Sequence, residues 1–251
     1  MDEENIKKTI KELSEQHDII IAAPTAENKR ILADNYPVEK ICPNPTPEEL
    51  KKLFDSRYER ALEIVEKIPP YIAESRPAIQ VLYNEIRECI LFGVYGAAIT
   101  LCGILVEFVL KYVSYYWDTL ESDTIFDAEK WDQIFEKTQF ASAITYSKNL
   151  GIINDDEVNA LEKFKDEVRN RYNHYNIRKL AENVVCEKVK KFDMHTGTVE
   201  EMNIPAYSSP IFFSIVKPWL DNKLIPEVFF VTYHNVSILL ARLNERKKNE
   251  K

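Results

Sequence analysis

From Ile90 to Leu110 the chain runs for 21 residues with Glu107 as its only charged side chain. No other segment constrains the fold as much, because so apolar a stretch must be shielded all round, by lipid or by other helices. Length alone permits a membrane span. Against it stand Glu107 within the run, Lys111 just beyond it, and amphipathic stretches on both sides that need something apolar to pack against. The run therefore reads as the buried central helix of a soluble bundle, with no membrane segment. Gly93, Gly96 and Gly103, three of the five glycines, lie in it, where a neighbouring helix can approach closely.

The flanks supply the rest of a mainly α fold. Thr46-Pro47-Glu48-Glu49 offers an N-cap, a proline at the first helical position and a Glu three after the cap. The helix it opens carries Leu50, Leu53, Phe54, Tyr58, Ala61, Leu62, Val65 and Ile68 at three-four spacing, a core-facing pattern that Pro69-Pro70 ends. After Pro77, residues 78–92 form a second amphipathic stretch, and residues 94–117 carry the apolar helix. Asp127 caps a helix through Ser147, with Gly151 at its stop, and Asn154-Asp155-Asp156-Glu157 opens another that runs to about Asn176. Residues 184–192 and 198–204 flank the turn-like His195-Thr196-Gly197 as a β-hairpin of imperfect alternation, and residues 226–246 form a final helix. Upstream, residues 5–16 and 26–34 read as short helices before the Pro-rich stretch from Tyr36 to Pro47. The predicted organisation is an N-terminal helical arm and linker over 1–45, a helical bundle over 46–180, and a small hairpin plus a final helix packed on the bundle over 181–251.

Charge and cysteine content narrow the function. The net charge of −8 and a pI near 5.2 exclude a generally basic nucleic-acid-binding domain, so any such contact is local. Basic residues cluster at Lys163, Lys165, Arg169, Arg171, Arg178 and Lys179, and again at Lys188, Lys190 and Lys191. The four cysteines form no C-x-x-C pair, which points to neither zinc nor redox chemistry. Cys89 and Cys102 sit in apolar context as thiols of a reducing compartment, and the polar start MDEENIKK lacks a signal-peptide core, so the expected location is cytoplasmic. His17, His195 and His234 have no partner at metal-ligand spacing, and no metal or cofactor is expected.

The remaining histidine lies in the helix opened by Asn154. At about 100° per residue, Leu161, Phe164, Val168 and Tyr172 define a core-facing stripe with Val158 at its edge. Arg169, Asn173, Asn170 and His174 fall in a continuous arc away from it, with Asn170 and His174 one turn apart. An imidazole takes or gives a proton near neutral pH, and a guanidinium is a permanent, fork-shaped phosphate ligand. RNA supplies its own nucleophile in the 2′-OH, so in-line attack on the adjacent phosphate yields a 2′,3′-cyclic phosphate without a metal. Asn170 can orient the ring or bind a phosphate oxygen. The structural alternative is an exposed salt-bridged ladder of Glu167, Arg171, His174 and Arg178 on one narrow arc.

Arg169, Asn170, three residues and His174 resemble the R-[polar]-x-x-x-H signature of the HEPN superfamily. Upstream, Tyr95-Gly96-Ala97-Ala98-Ile99-Thr100-Leu101-Cys102-Gly103-Ile104-Leu105-Val106-Glu107 is similar to the apolar second helix of HEPN domains. The resemblance spans roughly residues 51–176. It implies a HEPN-like helical bundle that dimerises through the motif helix, placing two Arg/His pairs around one RNA-cleaving cleft. That dimer would supply the groups a single chain lacks. On this reading Arg169, Asn170 and His174 are the catalytic residues, with Glu107, Arg171, Asn173 and Tyr175 in support, and Glu107 faces either Arg169 or Lys111. The implied activity is metal-independent endoribonuclease action of toxin or phage-defence type, with an antitoxin or regulatory protein as a possible partner. The alternative is a non-catalytic HEPN module that binds RNA or a partner protein. Asn176 stands where toxins paired with nucleotidyltransferase antitoxins carry Tyr, a departure that bears on that mode of regulation.

Overall fold

Thr46 starts the first helix by the reciprocal exchange its sequence predicts: its hydroxyl accepts from the Glu49 backbone N–H at 3.2 Å, and the Glu49 carboxylate accepts from the Thr46 N–H at 2.7 Å. The computed structural model describes residues 21–22, 46–119, 127–192, 198–208 and 210–249. The helices expected at 5–16 and 26–34, most of the Pro-rich stretch, His17, Cys42 and the 195–197 turn lie outside the described residues. In chain order the elements are β1 (Ile21–Ala22), α1 (Pro47–Ile64), a 3-10 turn (Val65–Lys67), α2 (Pro77–Leu91), α3 (Tyr95–Thr119), α4 (Ala128–Phe135), α5 (Phe140–Asn149) and α6 (Asp155–Phe164). A π-turn (Lys165–Arg169), α7 (Asn170–Asn173), α8 (Ile177–Leu180), β2 (Val185–Phe192), β3 (Val199–Pro205), a 3-10 turn (Ala206–Ser208) and α9 (Pro210–Asn249) follow. The protein is mainly helical with one small sheet.

The chain divides into two compact units, each discontinuous in sequence. One takes Met1–Lys52 with Ala181–Ser214, and the other Leu53–Leu180 with Ile215–Lys251. The first contains the sheet, ordered β1-β2-β3. β2 and β3 pair antiparallel from Val185↔Pro205 to Phe192↔Val199, which is the expected hairpin. Its imperfect alternation has a local cause: the register shifts between Cys186 and Val189, where Lys188 adopts φ 55° and donates its backbone N–H to Asn203 Oδ1 at 3.2 Å. β1 adds in parallel to β2, Ile21 beside Lys191, a two-residue strand too short to show a periodicity.

The second unit is a bundle built around α3. Ile99, Cys102, Leu105, Val106 and Val109 are fully buried, facing Ile79, Tyr83 and Ile86 of α2, Phe140 and Ile144 of α5, and Leu239, Leu240 and Leu243 of α9 in one core. Each such side chain contributes roughly 1.5–3 kcal/mol. Among the described residues two helices are long and apolar enough to cross a membrane, Tyr95–Thr119 and Phe212–Asn249. In α3 more than half of the apolar window is buried among other helices, as a core helix requires, and the Ser114 and Ser147 hydroxyls meet at 2.6 Å to tie it to α5. Burial pushes the Cys102 thiol up to about 12, so it behaves as a small hydrophobe.

Three expectations are corrected here. Most of the core-facing pattern that starts in α1 does not face the core: the helix has no buried residue, Phe54, Tyr58 and Leu62 are 62%, 61% and 57% exposed, and only Ile68, beyond its end, is buried. Three-four spacing shows that a helix has an apolar face, not that a partner covers it. α1 instead sets Arg60 over the Tyr95 ring, 5.6 Å from its centroid. The helix capped by Asp127 is two helices, α4 and α5, parted at 136–139. The final helix does not start at Pro226 but at Pro210, and passes through Pro218 and Pro226. A proline inside a helix costs a hydrogen bond, so local rules stop there; buried contacts of Asp221, Ile225 and Val228 hold the helix through it.

Candidate functional site

The helical run that carries the motif begins at a reciprocal capping box. The Asn154 side chain accepts from the Glu157 N–H at 3.0 Å, and the Glu157 carboxylate accepts from the Asn154 N–H at 2.9 Å. The same carboxylate takes both guanidinium nitrogens of Arg242 at 2.9 and 2.8 Å, and Arg242 also donates to the Ile152 carbonyl. Arg242 first, then the Asn154 backbone N–H, hold the Glu157 carboxyl below the usual glutamate range. Downstream, Leu161, Phe164 and Tyr172 are buried and Val168 partly so, as the periodicity requires.

The run is not a uniform α-helix. From Lys165 to Arg169 it widens into a π-turn, whose end is marked by the Asn170 N–H bonding the Lys165 carbonyl five residues back. A π-turn puts the residues after it out of phase with those before it, so a wheel of constant pitch misplaces Arg169. Arg169 does not face away from the bundle. It packs against α3, where a Cβ on Gly103 would lie 3.1 Å from its Cβ and 3.3 Å from its Cα. Its Nε and Nη2 donate to Glu107 Oε2 at 3.1 and 3.0 Å, and its Nη1 donates to Asn170 Oδ1 at 3.2 Å. Glu107 Oε1 takes Lys111 Nζ at 2.9 Å, and Lys111 also reaches the Phe135 carbonyl at 3.3 Å. Glu107 thus faces Arg169 and Lys111 together rather than one of them, and the three side chains sum to one positive charge. The side chain of Arg169 is 26% exposed, so its remaining N–H groups are within reach of a ligand.

Asn170 sits one turn before His174, but its side chain is engaged elsewhere. Its amide donates to Asp166 at 3.2 Å and its oxygen accepts from Arg169, so it positions the guanidinium rather than the ring. The expected helix through Asn176 ends at Asn173. His174 closes it at φ −95°, ψ 2°, and Tyr175 takes the left-handed φ of 45°. The reason is a competing cap: the Asn176 side chain accepts from the Lys179 N–H at 3.1 Å and starts α8. Asn173, His174 and Tyr175 are all exposed. Arg171 donates to the Lys179 carbonyl at 2.8 Å, and Glu167 has Lys163 at 3.9 Å as an ion partner within its own helix. The structure therefore brings Glu107, Arg169 and Asn170 into one network and sets His174 on the open helix exit beyond it.

Sequence reasoning missed a second network beside the motif. The buried Tyr172 hydroxyl donates to Asp221 Oδ1 at 2.7 Å, and Asp221 pairs with Lys217. The Lys217 ammonium lies over the rings of Tyr172 and Tyr175, 5.2 and 5.7 Å from their centroids. Burial, then the Asp221 bond, drives the Tyr172 hydroxyl well above its usual range, so it stays a proton donor. The i,i+4 spacing of Lys217 and Asp221 was visible; the partner 49 residues upstream was not. Asp166, four before Asn170, was visible in the same way. His234 is exposed and stacked on Phe230. Among the described residues no group of three or more His, Cys, Asp or Glu side chains is placed to hold a metal.

No family model matches the chain, and no characterised protein or solved structure is significantly similar to it.

Proposed function

We propose that the protein is a HEPN-like, metal-independent endoribonuclease of toxin or phage-defence type that acts in the cytoplasm as a homodimer. One observation carries the reading: a guanidinium anchored by Glu107, steered by a π-turn and braced by Asn170, stands five residues before an exposed imidazole. An anchored arginine with free N–H groups is preorganised for the charge that develops on a phosphate, and π-turns recur where a helix must aim a functional side chain. The net positive charge of Glu107, Lys111 and Arg169 favours a phosphodiester there.

In the reaction the 2′-oxygen attacks the adjacent phosphorus in line, and the bond from phosphorus to the 5′-oxygen breaks. The products are a 2′,3′-cyclic phosphate and a 5′-hydroxyl. One His174 accepts the 2′-OH proton, and His174 of the second copy gives a proton to the leaving 5′-oxygen, while Arg169 holds the non-bridging oxygens. The pair of motif helices meets across the dimer, and any antitoxin would have to cover the same exposed surface.

A non-catalytic module that binds RNA or a partner protein is the second reading, favoured by the pairing of Arg169 with Glu107, which spends part of its charge within the fold. The test is incubation of purified protein with RNA in EDTA, with product ends resolved by mass spectrometry. The expected result is cyclic-phosphate ends from the wild type and at least a hundredfold loss of rate in His174→Ala. Intact RNA with the wild type, or unchanged cleavage by the variant, sinks the nuclease reading.

A further inference from the structure

From Leu53 on, α1 meets its neighbours along one stripe and leaves another bare. The partly covered positions are Arg57, Arg60, Ala61 and Ile64, with the Arg60 guanidinium against Gly93 and over the Tyr95 ring. At about 100° per residue, Phe54, Tyr58 and Leu62 lie roughly 110° round the helix from that stripe, and Val65 follows just past its end. An aromatic side chain carries about 150–250 Å², so Phe54 and Tyr58, 62% and 61% exposed, leave roughly 200–300 Å² uncovered. Leu62 and Val65 bring the patch to roughly 400 Å², the size of the largest patch on a typical monomer and often a functional one. Two such patches bury roughly 800 Å², and the stems of the charged residues on their flanks bring a pair to about 1,000 Å², where a specific interface begins.

The spacing and the charges of this face fit a second copy of itself. Phe54 and Leu62 are each four residues from Tyr58, so a twofold axis at Tyr58 lays Phe54 of one α1 on Leu62 of an antiparallel partner, and Tyr58 on Tyr58. The same axis brings the exposed Lys51 and Lys52 beside the exposed Glu63 and Glu66 of the partner subunit. α1 has no basic residue in its last turn, so the partner's lysines also meet the negative end of its dipole. A parallel partner sets lysine against lysine and glutamate against glutamate instead. Asp55 and Glu59, nearer the axis, meet their own copies, which holds the pair to a moderate affinity.

We propose that the protein dimerises by antiparallel pairing of α1 with α1 of a second copy, through Phe54, Tyr58 and Leu62. The inference goes beyond the nuclease reading and does not rest on it. The two agree in place. Arg60 of α1 meets α3 at Tyr95, and Lys217 and Asp221, which hold Tyr172 and Tyr175 of the motif run, meet it at Gly96. α1 and the exit of the motif run therefore lie at the same end of α3.

The test is sedimentation velocity of the full-length protein, without RNA, over concentrations from about 1 to about 100 µM. The mass should rise from 29.3 kDa toward twice that value. Tyr58→Glu with Leu62→Glu should stay at 29.3 kDa throughout. Its Tm should lie within about 2 °C of wild type, because both side chains are exposed in the single chain. Charge exchange is the second arm: Lys51→Glu with Lys52→Glu, or Glu63→Lys with Glu66→Lys, should each raise Kd about tenfold, and a chain carrying all four changes should regain the wild-type Kd. A wild type that stays at 29.3 kDa at every concentration overturns the proposal and leaves the face to the chain's own residues or to another protein. A dimer that survives Tyr58→Glu with Leu62→Glu overturns it too, as does a failure of the four combined changes to restore affinity, which rules out the antiparallel pairing. The outcomes separate this inference from the nuclease reading. A dimer lost in Tyr58→Glu with Leu62→Glu, with RNA left intact by wild type, keeps the pair and removes the catalysis; a wild type that cleaves RNA and whose dimer survives those changes does the reverse.

Discussion

The two ends of the helical run from Asp155 to Asn173 are held in opposite ways. At the start the Asn154–Glu157 capping box closes on itself, and Arg242 clamps Glu157 from α9. At the far end the helix widens into a π-turn, closes on His174, and leaves by a left-handed tyrosine. Between them Arg169 is anchored to α3 through Glu107, while His174 projects from the exit. The contrast separates the motif into a structural half and a free half. Arg169 belongs to the fold as well as to the candidate site; His174, exposed on the helix exit, belongs to the candidate site alone.

That division is open to measurement. Glu107→Ala should have the largest effect, because it leaves Lys111, 8% exposed, and the half-buried Arg169 without their shared carboxylate. A loss of about 2–4 kcal/mol in urea unfolding is expected; a loss below about 0.5 kcal/mol would mean that Arg169 is not anchored by this network. Arg242→Met, at the clamped start, should cost about 1–2 kcal/mol, a charged hydrogen bond discounted for partial exposure. The Glu157 carboxyl is held below its usual range, so its share of stability is fully present above the unfolded value of about 4.3 and is lost as pH falls through the lower folded value. The gap in Tm between wild type and Arg242→Met should therefore be wide at pH 7 and close progressively below about pH 4; a gap independent of pH would show that the clamp acts by packing alone. The smallest effect belongs to His174→Ala, which should shift stability by no more than about 0.5 kcal/mol, as for other exposed positions. A larger shift would place His174 in the fold and erase the contrast.

Much of this was legible from local rules. Both capping boxes, at Thr46 and Asn154, form as their spacing predicts, because each is an exchange between residues three apart. The strands at 185–192 and 199–205 follow the residue types, and even the broken alternation corresponds to a real irregularity at Lys188. The glycines marked for close approach do meet neighbours: Gly103 meets Arg169, and Gly96 meets Asp221 and Lys217. The site was legible in part. Arg169, Asn170 and His174 were singled out, as was a link from Glu107 to Arg169 or Lys111, but the helix wheel put Arg169 on the wrong side, and Asn170, read as orienting the ring or binding a phosphate oxygen, braces Arg169 instead. The π-turn is the cause, since it depends on how the run fits against α3 and leaves no mark in the spacing of apolar residues.

The sequence by itself determined that the chain is helical, where most helices begin, and that the apolar helix over 94–117 belongs at the centre, because caps, prolines and the demand to bury a long apolar run act within one element. It also placed an arginine, an asparagine and a histidine within two turns of one another. Only the tertiary structure decided that α1 would leave its apolar stripe exposed, that α9 would run on through two prolines, and that Glu107 would serve Arg169 and Lys111 together. Those outcomes turn on which surfaces meet, a matter of packing between segments far apart in the chain that no periodicity within one helix records.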